Sequence, residues 1–239
     1  VIFALGYFFS NNNQAAIDNL PFPQDLPPRQ DVRIVVISDL NSQYGSTTYE
    51  PEVRQAIALI PQWKPDLVLC SGDMVAAQSK ALSDSQIQAM WTGFEQTIGA
   101  PLRKAQLPLG FTVGNHDASG ALGPRGERLF ERDRSFAKTY WNQASHTPNL
   151  QFADRAEFPF YYSFSQNEIF YLVWDASSAI LSPQQLAWAE KSLASAAAQA
   201  AKLRIAIGHL PLYAVAVGRD KPGEFLNHAE ELRSLLEKY

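Results

Sequence analysis

Four groups of polar residues in the sequence each follow a run of apolar ones. Asp39 comes after "VVIS"; Asp73 comes after "LCSG"; Asn115, His116 and Asp117 come after "FTVG"; His209 comes after "IAIG". Carboxylates, amides and an imidazole without a thiolate form a mixed oxygen and nitrogen donor set, which suits borderline divalent ions such as Mn, Fe or Zn. A carboxylate shared by two such ions ~3.5–4 Å apart can clamp an in-line phosphoryl displacement. His116, beside an amide ligand, is then a candidate acid for the leaving oxygen. Each residue alone has a plainer use, because an Asp after a strand commonly caps a helix or closes a turn. Four strand ends carrying such groups together are much harder to explain that way.

The elements that must position these groups are legible as patterns. Residues 32–38, 66–71, 109–113 and 203–208 are apolar without polar alternation, the signature of strands buried on both faces of a parallel sheet covered by helices. In open sheets of this kind, ligands bind in the crevice beyond the carboxyl ends of the strands. Gly72, Gly114 and Gly208 precede three of the polar groups, as expected where a backbone turns sharply or a ligand comes close. Helices are predicted over 51–63, with Val53, Ile57 and Ile60 on one face, over 83–98 from a Ser83/Gln86 capping box, and over 182–193 from Ser182, Pro183 and Gln185. "FYYSFS" and "IFYLVWD" flank the turn "QNE" and read as a hairpin.

The chain has 239 residues and a formal net charge of −4, with no tract of Lys and Arg, so nothing marks a nucleic-acid or anionic-lipid surface. The single cysteine, Cys70, lies in the apolar run "DLVLC" and reads as a small buried hydrophobe. Arg125, Arg128, Arg132 and Arg134 read as a solvated face pairing with Glu127, Glu131 and Asp133, with a phosphate clamp as the alternative. His146 and His228 carry no motif.

Residues 1–30 differ in character from residues 31–239, which are expected to form one domain. "VIFALGYFF" is far shorter than the ~20 apolar residues that span a bilayer, and a polar, proline-rich linker follows it. Two readings stand side by side: the remnant of an export signal or membrane anchor, which would place the protein outside the cytoplasm, and a short element packed on the domain.

"SDLN", "GDMV", "GNHD" and "GHLP", in this order and each after a strand, resemble the calcineurin-like metallophosphoesterases. The later stretch "YYSF…IFYLVWDAS…LSPQQLAWAEKSL" is similar to the branch that includes purple acid phosphatases. The resemblance covers about residues 32–239 and implies an α/β fold, a two-sheet αββα sandwich with the metal site at the C-terminal ends of the strands. It also implies two divalent ions and a metal-bound hydroxide attacking a small phosphorylated substrate. Asp39 would bind the first metal, Asp73 would bridge, Asn115 and His209 would bind the second, and His116 would protonate the leaving group. Asp117 would orient a neighbour.

Two departures from the family pattern bear on this. The histidine of its D-x-H motif is Asn41 here, whose neutral amide oxygen is a weaker ligand than imidazole; three readings stand, that Asn41 coordinates the first metal, that it holds a water, and that it does neither. Its final G-H-x-H does not occur before Tyr239, and "HAEELRSLLEKY" resembles the helix before that strand, so the natural sequence is expected to continue. The expectation is a metal-dependent phosphatase or phosphodiesterase. The alternatives are a metal-poor homologue that binds a phosphorylated ligand or protein partner without turnover, and a surface-anchored interaction module.

Overall fold

The computed structural model describes residues 2–4, 32–41 and 43–239. Apart from Ile2–Ala4, the apolar start and proline-rich linker lie outside the described residues. Among the described residues no helix is long and apolar enough to cross a membrane.

One sheet is built from β1 (Ile2–Ala4), β2 (Ile34–Ile37), β3 (Leu67–Cys70) and β4 (Leu109–Phe111), in that order and all parallel. A second sheet holds β5 (Gln151–Glu157), β6 (Tyr161–Gln166), β7 (Ile169–Val173) and β8 (Leu203–Ile207). The pairs β5/β6 and β6/β7 are antiparallel, and β8 runs parallel to β7. The hairpin turns through Asn167 and Glu168, both at positive φ, the conformation that matches the twist of flanking strands.

Strand β7 shows how the layers form. Tyr171 and Val173 point into the core shared with the first sheet, while Phe170 and Leu172 point into a second core under the outer helices. All five residues of the strand are buried, because successive side chains alternate between two covered faces. The first sheet's outer face is covered by α1 (Pro51–Leu59) and α2 (Asp84–Phe94), which contribute Ile57, Ile87, Met90 and Phe94. The capping box of α2 is present: Ser83 accepts from Gln86 N–H, and the Gln86 side chain accepts from Ser83 N–H. Pro61 lacks the N–H that would continue α1, and Ile60–Trp63 tightens into a 3₁₀ turn. Residues 95–99 form a π turn leading into α3 (Ala100–Lys104). Two helices remain to be placed with the site: the short α4 (Asn115–Ala118) follows β4, and α5 (Glu131–Trp141) packs against it. The second sheet is covered by α6 (Pro183–Leu193), α7 (Ala196–Ala200) and α8 (Ala229–Lys238).

Two expectations need correction, and one strand carries no signal in the sequence. The run 203–208 joins the second sheet instead of the parallel one, and its strand is mostly exposed, with Leu203 at 51 %. An apolar run reports only that a strand can be buried; which sheet receives it depends on contacts far away in sequence. Strand β5 went unread because "QFADRAE" is half-exposed and polar. Arg134 is no surface residue: it is 4 % exposed, donates to Ala118 O and Asp175 Oδ2 at 2.7 Å each, and stacks over Phe160. Arg125 and Arg128 do pair with Glu127 and Glu131 at the surface.

The two sheets are joined by polar bonds as well as by the core. Tyr162 Oη accepts from Phe111 N–H at 3.1 Å and donates to Phe111 O, so the outer edge of β4 is satisfied by a side chain of the other sheet. Thr112 Oγ1 donates to Trp174 O at 2.9 Å one residue further on. Both bonds lie next to the residues expected to hold metal, and they fix the separation of the two sheets there.

Candidate metal centre

Asp39 and Asp73 both take positive φ (54° each), an uncommon conformation for a residue with a side chain. The two turns brace each other: Asp39 N–H donates to Gly72 O at 3.1 Å, and Leu40 N–H donates to Asp73 O at 2.9 Å. The backbone of Gly114 passes directly over Asp73, and a Cβ there would overlap both Asp73 Oδ1 and Asp73 N. Glycine is required at 114 by this close approach.

Asp73 is 5 % exposed and its two oxygens do different jobs. Oδ1 accepts from the main-chain N–H of His116 at 2.9 Å. Oδ2 lies 3.4 Å from His209 Nε2 and 3.9 Å from His116 Nδ1. His209 arrives from the end of β8, across the sandwich. Its Nδ1 donates to Ser71 O at 2.8 Å, which leaves Nε2 facing the site, 2.9 Å from Asn115 Oδ1. A backbone carbonyl on one ring nitrogen is the usual way of presenting the other to a metal. Asn115 Nδ2 donates to Gln78 Oε1 at 3.2 Å, so the amide is oriented with its oxygen inward.

Ligand atoms of Asp39, Asp73 and His209 lie within 4.8 Å of one another. Burial disfavours charge on His209, but its hydrogen bond to Asp73, the charges of Asp73 and Asp39, and the Ser71 carbonyl outweigh burial and raise its pKa to about 9. Burial likewise opposes charge on Asp73, and the hydrogen bond and charge of His209, with His116, outweigh it and lower its pKa. Nε2 faces Asn115 Oδ1 and Asp73 Oδ2, in the place a cation would take. The residues present fit a divalent ion: oxygen and nitrogen donors, one imidazole already oriented, and a local excess of negative charge.

His116 stands beside this cluster. Its main chain is clamped, since its N–H reaches Asp73 and its carbonyl accepts from Ala77 N–H and Gln78 N–H at 2.9 and 3.1 Å. Nδ1 is buried without a hydrogen-bond partner, and Nε2 faces Tyr44 Oη at 3.4 Å. Asp117 is fully buried and serves the backbone: it accepts from Gly114 N–H at 2.7 Å and from Met74 N–H at 3.5 Å. Burial first, and the charge of Asp73 next, hold its pKa well above the ordinary carboxylate value.

Of the expected ligands, the structure brings together Asp39, Asp73, Asn115 and His209, with His116 adjacent. The Asn41 amide is engaged in its own loop at both ends: Oδ1 accepts from Gln43 N–H at 3.2 Å and Nδ2 donates to Ser46 O at 3.1 Å. Tyr44 and Gln78 were not singled out from the sequence as site residues. Gln78 gave no signal, being an ordinary polar residue whose partner is distant in sequence; Arg134, read with the exposed arginines or as a phosphate clamp, instead binds Ala118 O and Asp175. Tyr44 did carry one, as an aromatic followed by glycine in a polar loop directly after a candidate ligand.

The family model of the calcineurin-like phosphoesterases matches residues 32–239. No curated protein sequence matches the chain. Among solved structures, a dimetal phosphatase from Danio rerio superposes with a TM-score of 0.50 at 14 % identity, over 87 % of this chain and 78 % of that one, a likeness of fold. With this match over nearly all of its described length, the chain belongs to the calcineurin-like phosphoesterase family and is, in general terms, a metal-dependent phosphoesterase.

Proposed function

We propose that the chain hydrolyses a small phosphate ester at a pair of divalent cations held by Asp39, Asp73, Asn115 and His209. The observation that carries this reading is the convergence of ligand atoms from Asp39, Asp73 and His209 within 4.8 Å, although they come from three strand ends and two sheets. Bound cations supply Lewis acidity, which offsets the phosphoryl charge and lowers the pKa of an attacking water.

The protein's own groups do the rest. Asp73 is held at Oδ1 by His116 N–H, so Oδ2 keeps one position between the two histidines. The Ser71 carbonyl keeps the His209 proton on Nδ1. His116 Nε2 faces the open side of the site, where it can hold a proton for a departing oxygen. Met74 to Ala77, all buried, form a dry wall beneath the loop that carries Tyr44.

The test is hydrolysis of an aryl phosphate by protein supplied with Mn, then dialysed against a strong chelator. Activity should vanish on chelation and return with metal; full activity in the chelator would overturn the reading. A second reading, ligand binding without turnover, is favoured by the engagement of the Asn41 amide in its loop, which removes a donor from the first ion. Metal content separates the two: about two ions per chain support the enzyme, and none supports the binding protein.

A further inference from the structure

The loop after Asp39 is built around Asn41, and its exposed product is Tyr44. Asn41 is 6 % exposed and bonds the backbone of Gln43 and Ser46, on either side of Tyr44. Gly45, at φ +78°, turns the chain and donates its N–H to Ala76 O at 3.0 Å, which pins the loop to the segment after Asp73. Tyr49 Oη donates to Met74 O at 2.7 Å and fixes the loop's far end. A loop held at these points presents Tyr44 in one place. Its ring stacks on the His116 imidazole, with centroids 5.0 Å apart and planes at 28°, and its hydroxyl reaches Nε2 at 3.4 Å. More than half of the Tyr44 surface, 53 %, remains open to solvent.

We propose that Tyr44 is a positioning and specificity residue, which steadies the His116 ring and offers its outer face to a planar leaving group, and that Asn41 acts as the staple of the loop that carries it. This rests on the site reading above, since a leaving group meets Tyr44 only if the phosphoryl group sits at the metal cluster beside His116. The physical basis is that an aromatic ring lying over the proton donor is also beside the leaving oxygen. A planar group bonded to that oxygen gains an offset stack there, and a saturated one does not. Asn41 stands where the family pattern has a histidine ligand; in this chain the same position shapes the substrate side of the site.

The experiment measures binding of phenylphosphonate and of cyclohexylphosphonate, equal in bulk but only one planar, to the Mn-loaded protein by calorimetry. The wild type should favour the phenyl compound by about 3–10-fold, the range of one offset aromatic pair. Tyr44→Ala should bring the ratio close to unity, while Tyr44→Phe and Tyr44→Trp should keep it. In turnover, the ratio of KM values for matched aryl and cyclohexyl esters should follow the same order, and Tyr44→Phe should lower kcat without changing that ratio. Asn41→Ala should lower the phenyl preference as Tyr44→Ala does and leave Mn affinity within about 2-fold.

An equal phenyl preference in wild type and Tyr44→Ala would overturn the proposal, as would a wild type that binds neither phosphonate. Loss of Mn by Asn41→Ala would overturn the staple role. If the phosphonate pattern appears but neither ester is hydrolysed with Mn, the hydrolytic reading fails and the role of Tyr44 stands.

Discussion

The two sides of the site are held by different means. Around Asp73 the constraints are buried and interlocked: the Gly114 backbone lies on Asp73, the Asp117 carboxylate ties Gly114 to Met74, and the His209 ring is docked on Ser71 O. Asp39 is exposed on the other side, and the loop that follows it is held by the side chain of Asn41 and by single bonds to its neighbours. The buried side has no room to vary, which suits ligands whose separation must be fixed. The loop side can change residues without disturbing the sheets, which suits the part that meets the variable portion of a substrate.

Substitution at the buried side should produce the largest effects. Asp73→Ala is expected to lose bound metal and to abolish turnover. His116→Ala should keep its metal and lose about 10²–10⁴-fold in kcat, the range of a general acid. Metal analysis of both purified variants checks this, and equal metal loss in the two would dissolve the distinction between holding and protonating.

Glycine substitutions sharpen the same contrast through stability. At Gly114 an added methyl meets the Asp73 backbone, which cannot move away, and Gly114→Ala should cost on the order of 3–4 kcal/mol. At Gly45 the methyl meets only the tip of the Leu82 side chain, 2.8 Å away, so the remaining cost is that of positive φ, about 1–2 kcal/mol. Urea unfolding of the two variants should separate them, and similar midpoints would mean that the sides are equally rigid.

A smaller effect is expected at Gln78, whose Oε1 orients Asn115. Gln78→Ala should weaken Mn binding by about 10-fold, as removal of a group behind a ligand does, and Gln78→Glu should recover most of it by keeping the acceptor. Isothermal titration provides the readout; an unchanged affinity in Gln78→Ala would show that the amide is held by the metal alone.

The smallest expected effect is in pH dependence. The pKa of His209 is raised from 6.5 to about 9 in the folded chain, so its contribution to stability is fully present below pH 6.5 and is lost as pH rises through 9. Chelator-treated protein should therefore melt lower at pH 9 than at pH 6.5, by on the order of 5 °C, and His209→Asn should flatten that slope. Mn affinity should rise over the same interval, because the metal needs the ring unprotonated at Nε2.

Much of the site was legible because its signals are local. A buried strand, a glycine and a polar group occupy a few consecutive residues, so Asp39, Asp73, Asn115, His116 and His209 could be named from the sequence, and the two capped helices announced themselves by Ser83 and Ser182. Gln185 shows the limit. It stands at capping-box spacing from Ser182, yet its side-chain oxygen accepts from Asp175 N–H, at the end of the β7 region. The helix start was readable and the destination of the side chain was not.

By itself the sequence determined which segments could be buried strands, where each one stops, and which donors stand at those stops, because side-chain period and turn chemistry act within a few residues. Only the tertiary structure decided that His209 crosses from the second sheet to reach Asp73, that Arg134 is buried against Asp175, and that the Asn41 amide closes a loop which sets Tyr44 over His116. Each of these depends on the distance between chain segments that pack together from far apart in sequence. That distance is set by how the two sheets and their helices fill the core, and no local pattern carries it.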